Sequence, residues 1–120
     1  MKVAVVGSRE FTDYQLMRRI LNKIAKIIEI DAIVSGGARG ADTLAEKYAG
    51  EHHIKTIIFP AEWDKYGNRA GFLRDEKIVK SSDVVVAFWD GKSKGTQHSI
   101  NLAHKHDKKL VIVKNGTIDG

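Results

Sequence analysis

Four stretches of this 120-residue chain gather the residue types that bind anions and nucleotides. They are Gly7-Ser8-Arg9, Ser35-Gly36-Gly37-Ala38-Arg39-Gly40-Ala41-Asp42, Pro60–Arg74 and Trp89–His98. Together they hold most of the 11 glycines, both tryptophans and four of the arginines. Glycines let a backbone approach a phosphate closely, and the free N–H groups that open a helix supply donors and a positive dipole. Ser35–Asp42 has this form, although it is neither G-x-G-x-x-G nor G-x-x-x-x-G-K-[ST]. A tight turn needing positive φ is the alternative reading. Asp42 in the first helical turn either caps the helix or accepts from a ribose hydroxyl. The run Trp89-Asp90-Gly91-Lys92-Ser93-Lys94-Gly95-Thr96 is a second element of the same kind. Gly95 and Thr96 would hold a phosphate there, whereas Asp90 and Ser93 also suit a turn with no ligand.

Arginines and aromatic residues complete the candidate set. Arg9 suits bidentate phosphate recognition, with an ion pair to Asp13 or Asp83 as the competing use. Arg74, one turn into a helix, is placed to reach back to the same crevice. Trp63 and Tyr66 lie in the longest loop and either stack a base or cover the sheet edge. Trp89 ends an apolar strand and also suits the core. The expected ligand-binding set is Gly7, Ser8, Arg9, Ser35, Gly36, Gly37, Ala38, Gly40, Asp42, Trp63, Arg74, Trp89, Asp90, Gly91, Ser93, Gly95 and Thr96. No His/Asp/Glu spacing makes a metal site, and no nucleophile elbow or triad order is visible. His98 falls near the crevice, whereas His52, His53, His104 and His106 do not.

These residues need a scaffold that brings four loops to one edge, and the rest of the chain reads as that scaffold. Strands are expected at Lys2–Val6, Ala32–Ser35, Lys55–Phe59, Asp83–Trp89 and Leu110–Val113. Helices are expected from a Thr12/Gln15 capping box through Ile28, and at Asp42–Glu51, Arg69–Lys80 and Thr96–His106, with Ala61–Asn68 a loop. Apolar strands separated by helices imply a parallel sheet covered on both faces. The expected fold is α/β, a Rossmann-like three-layer α/β/α sandwich with five parallel strands in the order 3-2-1-4-5. Ligands then bind at the carboxyl ends of the strands, at the switch point between the first and fourth. Residues 1–114 read as one domain and 115–120 as a C-terminal tail.

Composition narrows the class of partner. A net charge of +5 favours anionic partners, although basic residues near a helix C-terminus, such as Lys105 and Lys108, also complement its dipole. There are no cysteines, so disulfides and thiolate metal sites are excluded. No apolar run reaches membrane-spanning length and the N-terminus lacks a signal-peptide pattern, so the expected compartment is the cytoplasm, with no membrane partner.

Taken in order, Gly7-Ser8-Arg9 with Phe11 and Asp13, Ser35-Gly36-Gly37-Ala38 with Gly40-Ala41-Asp42, and Pro60-Ala61 with Trp63, Tyr66-Gly67, Ala70-Gly71 and Arg74 form a familiar series. Ala87-Phe88-Trp89-Asp90-Gly91 with Ser93 and Gly95-Thr96 extends it. Over roughly residues 1–113 the chain resembles the YspA-type branch of the SLOG superfamily. That superfamily includes LOG phosphoribohydrolases, DprA single-stranded-DNA-binding proteins and sensors of nucleotide-derived signals. The resemblance implies a site for a mononucleotide or an ADP-ribose- or NAD-like ligand, held by a sensor or binding module. A LOG-like hydrolase of N-glycosidic or phosphate bonds and a DprA-like binder of single-stranded nucleic acid are the alternatives. The chain departs from the LOG pattern P-G-G-x-G-T-x-x-E, because the glutamate position falls on Ser99. An oxocarbenium-like transition state needs a nearby carboxylate, which leaves Asp42 and Asp90, with Arg74, as catalytic candidates. Relatives often pair through helices, so a homodimer is a further expectation, although the sheet accounts equally for the apolar helix faces.

Overall fold

A computed structural model describes residues 1–114 and the backbone of residues 117–119. Five parallel strands, β1 (Lys2–Gly7), β2 (Ala32–Ser35), β3 (Lys55–Ile58), β4 (Val84–Trp89) and β5 (Lys109–Lys114), lie in the order β3-β2-β1-β4-β5. The strand order is the expected one, and the fold is Rossmann-like. Within the segment expected as a tail, a short β6 (Thr117–Asp119) pairs antiparallel with β5.

Two apolar layers form because β1 and β4 alternate between faces. Val3 and Val5 of β1, with Val84, Val86 and Phe88 of β4, pack under α1 (Tyr14–Ala25) and α2 (Ala41–Glu51). Ala4 and Val6, with Val85 and Ala87, pack under α4 (Ala70–Lys80) and α5 (Lys94–Lys105). Both strands are buried on both faces, which is why they read as continuous apolar runs. No helix among the described residues is long and apolar enough to cross a membrane.

Several boundaries differ from the sequence expectation, the largest shift being that α1 ends at Ala25 rather than at Ile28. Asp13, not Thr12, is the N-cap of α1, and its carboxylate accepts from Leu16 N at 3.1 Å. An aspartate is the stronger cap, so the helix begins one residue later. The expected loop Ala61–Asn68 instead contains a one-turn α3 (Trp63–Tyr66), followed by a 3-10 turn (Gly67–Arg69) that leads into α4. Helix α5 begins at Lys94, because the Ser93 hydroxyl caps it by accepting from Thr96 N at 3.4 Å.

Candidate functional site

The carboxyl ends of β1 and β4 are locked together before any ligand is considered. Gly7 pairs with Phe88, and Ser8 N donates to Phe88 O at 3.2 Å. Ser8 O then accepts from both Phe11 N and Ala41 N, so the β1 end is tied to the start of α2. Beside this junction lies a cleft of about 380 Å³, within the usual range for a small-molecule site. Its walls come from four regions: Gly7, Ser8 and Arg9 at the end of β1; Ala38 and Asp42 before and within α2; Trp63, Asn68, Phe72, Arg74 and Asp75 around α3 and α4; and Ser93, Gly95, Thr96 and Ser99 at the start of α5.

The two glycine loops differ in what they offer a ligand. In the first, Gly37 N donates to Ser35 Oγ, Ala38 N to Asp42 Oδ2 at 3.1 Å, and Ala41 N to Ser8 O. Three amides of that loop are therefore held by the chain itself. Ser35 is fully buried, and Gly40, at φ +77° and ψ −126°, packs beneath the Ser8–Arg9 backbone. In the second loop, Asp90 Oδ1 accepts from Lys92 N and Ser93 N, and Ser93 Oγ accepts from Thr96 N. The amides of Lys94 and Gly95 are the first two of α5 and have no intrahelical acceptor. Gly95 lines the cleft edge, at the positive end of the helix dipole.

A buried ionic cluster forms the floor. Arg74, whose side chain is 13% exposed, donates through Nη1 to Gly36 O and through Nε to Asp75 Oδ1, both at 3.1 Å. Gly36 leaves the space for this, because a Cβ there would stand 2.5 Å from Arg74 Nη1. Asp75 Oδ2 lies 3.3 Å from His98 Nδ1. Burial pushes the Asp42 carboxyl up to about 6, against the pull of the Ala38 amide and the Arg74 guanidinium, with Asp75 and Glu46 adding to the rise. Burial also raises Asp75, opposed by Arg74 and His98. Asp90, held by the Ser93 and Lys92 amides, is lowered.

A raised carboxyl pKa means that the folded state holds the proton more tightly than the unfolded chain. Its ionisation therefore costs stability as pH rises from about 4 to 6, and the cost is absent at lower pH. From 3.8 to about 6 this amounts to roughly 3 kcal/mol. Asp42→Asn is expected to raise unfolding stability at pH 8 by about 1–3 kcal/mol, with the gain vanishing near pH 4. Urea midpoints at the two pH values check this, and an equal gain at both would contradict it.

Of the residues singled out from sequence, Gly7, Ser8, Arg9, Ala38, Asp42, Trp63, Arg74, Ser93, Gly95 and Thr96 line the one cleft. Gly36 and Gly37 line an adjoining groove shared with Arg9, Trp63 and Arg74. Trp89 and Asp90 face a different groove beside Phe11 and Thr12. The Trp89 indole donates to Ser93 O at 3.1 Å, and Gly91 turns the chain at φ +83° against Lys114. Ser35, Gly40 and Gly91 line none of these grooves. Arg9 is exposed and makes no ion pair with Asp13, which caps α1, or with Asp83, which accepts from Lys2 N. No group of three or more metal-ligating side chains occurs among the described residues. Sequence reasoning missed Asp75, Asn68 and Phe72. A signal for Asp75 was available: it sits three residues after Phe72 and four before Val79, a charge on an otherwise apolar helical stripe.

Comparison with known proteins gives this geometry a context. Gene 61 protein of Mycobacterium phage D29 is 37% identical over 79 residues, covering 61% of this chain and 63% of that protein. The chain thus spans less than two thirds of that relative's length. Among solved structures, DNA processing protein A from Streptococcus pneumoniae matches 92% of this chain and 49% of its own, at a TM-score of 0.77 and 21% identity. DNA processing protein A from Helicobacter pylori, described by its single-stranded DNA binding mode, matches 93% of this chain and 64% of its own, at a TM-score of 0.68 and 28% identity. The profile of the YspA, cpYpsA-related SLOG family matches residues 1–66, which carry β1, both glycine-rich strand ends that follow β1 and β2, and Trp63. The chain belongs to the YspA, cpYpsA-related SLOG family.

Proposed function

We propose that the chain binds a nucleotide or nucleotide-derived ligand, of the mononucleotide or ADP-ribose/NAD class, in the cleft between the ends of β1 and β4, as a sensor or binding module. The observation that carries this is the meeting, in one cleft, of Gly95 and Thr96 at the start of α5, the exposed Arg9 side chain and the buried Asp42 carboxylate. The phosphate sits at Lys94–Thr96 under the helix dipole, with Arg9 as its counter-charge. The first glycine loop acts differently, as a folded support that presents Asp42 towards a ribose hydroxyl. Thermal shift against mononucleotides, NAD and ADP-ribose tests the proposal. At a concentration of 100 Kd a ligand adds about 2.7 kcal/mol of stability, which raises Tm by several degrees. No shift with any member at millimolar concentration would refute it.

Hydrolysis of the bound nucleotide is a second reading, favoured by Asp42, a cleft carboxylate poised near 6. Ser99 lines the cleft at the position of the LOG glutamate but offers no carboxylate, and Asp90 faces elsewhere. Base or phosphate released by wild type and not by Asp42→Asn would support this reading. The Helicobacter pylori relative makes single-stranded DNA a ligand to include in the same panel. Binding there is expected to fall steeply with salt if the basic surface carries it.

A further inference from the structure

Two large aromatic side chains stand in solvent at the α3–α4 side of the cleft, opposite in sequence and in chemistry to its anion-binding start of α5. Trp63 is 50% exposed and Phe72 is 52% exposed, and both line the cleft. Gly71, between them in the wall, presents no side chain, and a Cβ there would lie 3.5 Å from Trp63 Cη2. The Phe72 ring is backed by the His98 imidazole, edge to face at 4.7 Å, and His98 is itself tied to buried Asp75. Phe72 is therefore an exposed ring with a fixed support. Asn68, on the same wall, adds an amide that both donates and accepts. Tyr66, the other exposed aromatic of this region, lines a separate groove with Arg69, Leu73 and Lys77.

We infer that this wall receives the heteroaromatic base of the ligand, with Trp63 and Phe72 as the stacking surface and Asn68 meeting the base edge. The inference rests on the phosphate-site reading above and deepens it. It assigns Phe72 and Asn68 as binding residues and removes Tyr66 from that role. Stacking is tolerant of base identity, because every base has a π-face, so Phe72 sets affinity and Asn68 sets preference between bases.

The test compares ligands with and without a base on the same protein. Isothermal titration uses the four ribonucleoside 5′-monophosphates and ADP-ribose, with ribose 5-phosphate as the base-free probe. Phe72→Ala removes an exposed side chain, and its circular dichroism and Tm are expected to stay near wild type. It is expected to weaken the nucleotides roughly 5- to 100-fold, the range for loss of one stacking ring, and to leave ribose 5-phosphate within about twofold. Asn68→Ala is expected to compress the differences among the four bases, and Tyr66→Ala to change nothing. Wild-type nucleotide binding by Phe72→Ala would overturn the inference while leaving the phosphate site standing. An equal loss of nucleotides and ribose 5-phosphate would also overturn it. If wild type binds neither kind of probe, the phosphate-site reading falls, and this inference with it.

Discussion

Arg74→Ala is expected to destabilise the fold by about 3–5 kcal/mol at pH 8, the range for removing one partner of a buried charge cluster. Arg74 pairs with buried Asp75, lowers the cost of buried Asp42 through its charge, and also satisfies Gly36 O. Without it, both carboxylates face burial and each other. The loss should shrink towards pH 4, where Asp42, raised to about 6, takes up its proton and leaves less buried negative charge to be compensated. Urea denaturation at pH 4 and pH 8 reads the effect, and an equal loss at both values would contradict the account. Arg74→Lys is not expected to keep the wild-type value, because two donors in a rigid fork reach Gly36 O and Asp75 Oδ1, and an ammonium has no such geometry. A loss of ligand binding in Arg74→Ala is therefore informative only at a temperature where the variant is shown to be folded.

Gly40→Ala is the second large effect, expected at roughly 3 kcal/mol or more. At φ +77° and ψ −126° the backbone of Gly40 lies where residues with a Cβ are strained. The added Cβ would also stand 2.5 Å from the carbonyl carbon and oxygen of Arg9 and from Ser8 O. These are backbone atoms, fixed by the bonds that Ser8 O accepts from Phe11 and Ala41, so no side chain can swing aside. Gly50→Ala is the matched control: it lies within α2 with nothing near its added Cβ, and should gain about 0.5–1 kcal/mol. Melting curves of the two variants check the pair, and near-equal Tm values would contradict the reading of Gly40.

The strand order and the convergence of the loops were legible because they follow from periodicity and crossover handedness. Val3–Val6 and Val84–Phe88 are apolar on both faces, which only a sheet covered by helices explains. Arg74 was legible as a residue that reaches the crevice, but not as the centre of an ionic cluster, because its partner Asp75 is its sequence neighbour and reads as ordinary surface charge. The two glycine loops looked alike in sequence. They differ in where the carboxylate stands: Asp42, inside α2, turns back to its own loop at Ala38, whereas Asp90 folds the second loop from before α5. That contrast depends on which acceptor each amide finds, and residue type does not settle it. The helical turn at Trp63–Tyr66 was hidden for a related reason: one turn is too short to show a period.

The most direct test of the central claim is isothermal titration of wild type and Gly95→Asp with the tightest-binding nucleotide of the panel. A Cβ at Gly95 meets nothing within 4 Å, and an aspartate in the first turn of α5 suits the helix dipole, so the variant should be at least as stable as wild type. Its carboxylate would occupy the place assigned to the phosphate. The account predicts that binding falls at least tenfold, about 1.4 kcal/mol, with Tm unchanged or raised. Undiminished nucleotide binding by a folded Gly95→Asp would contradict it.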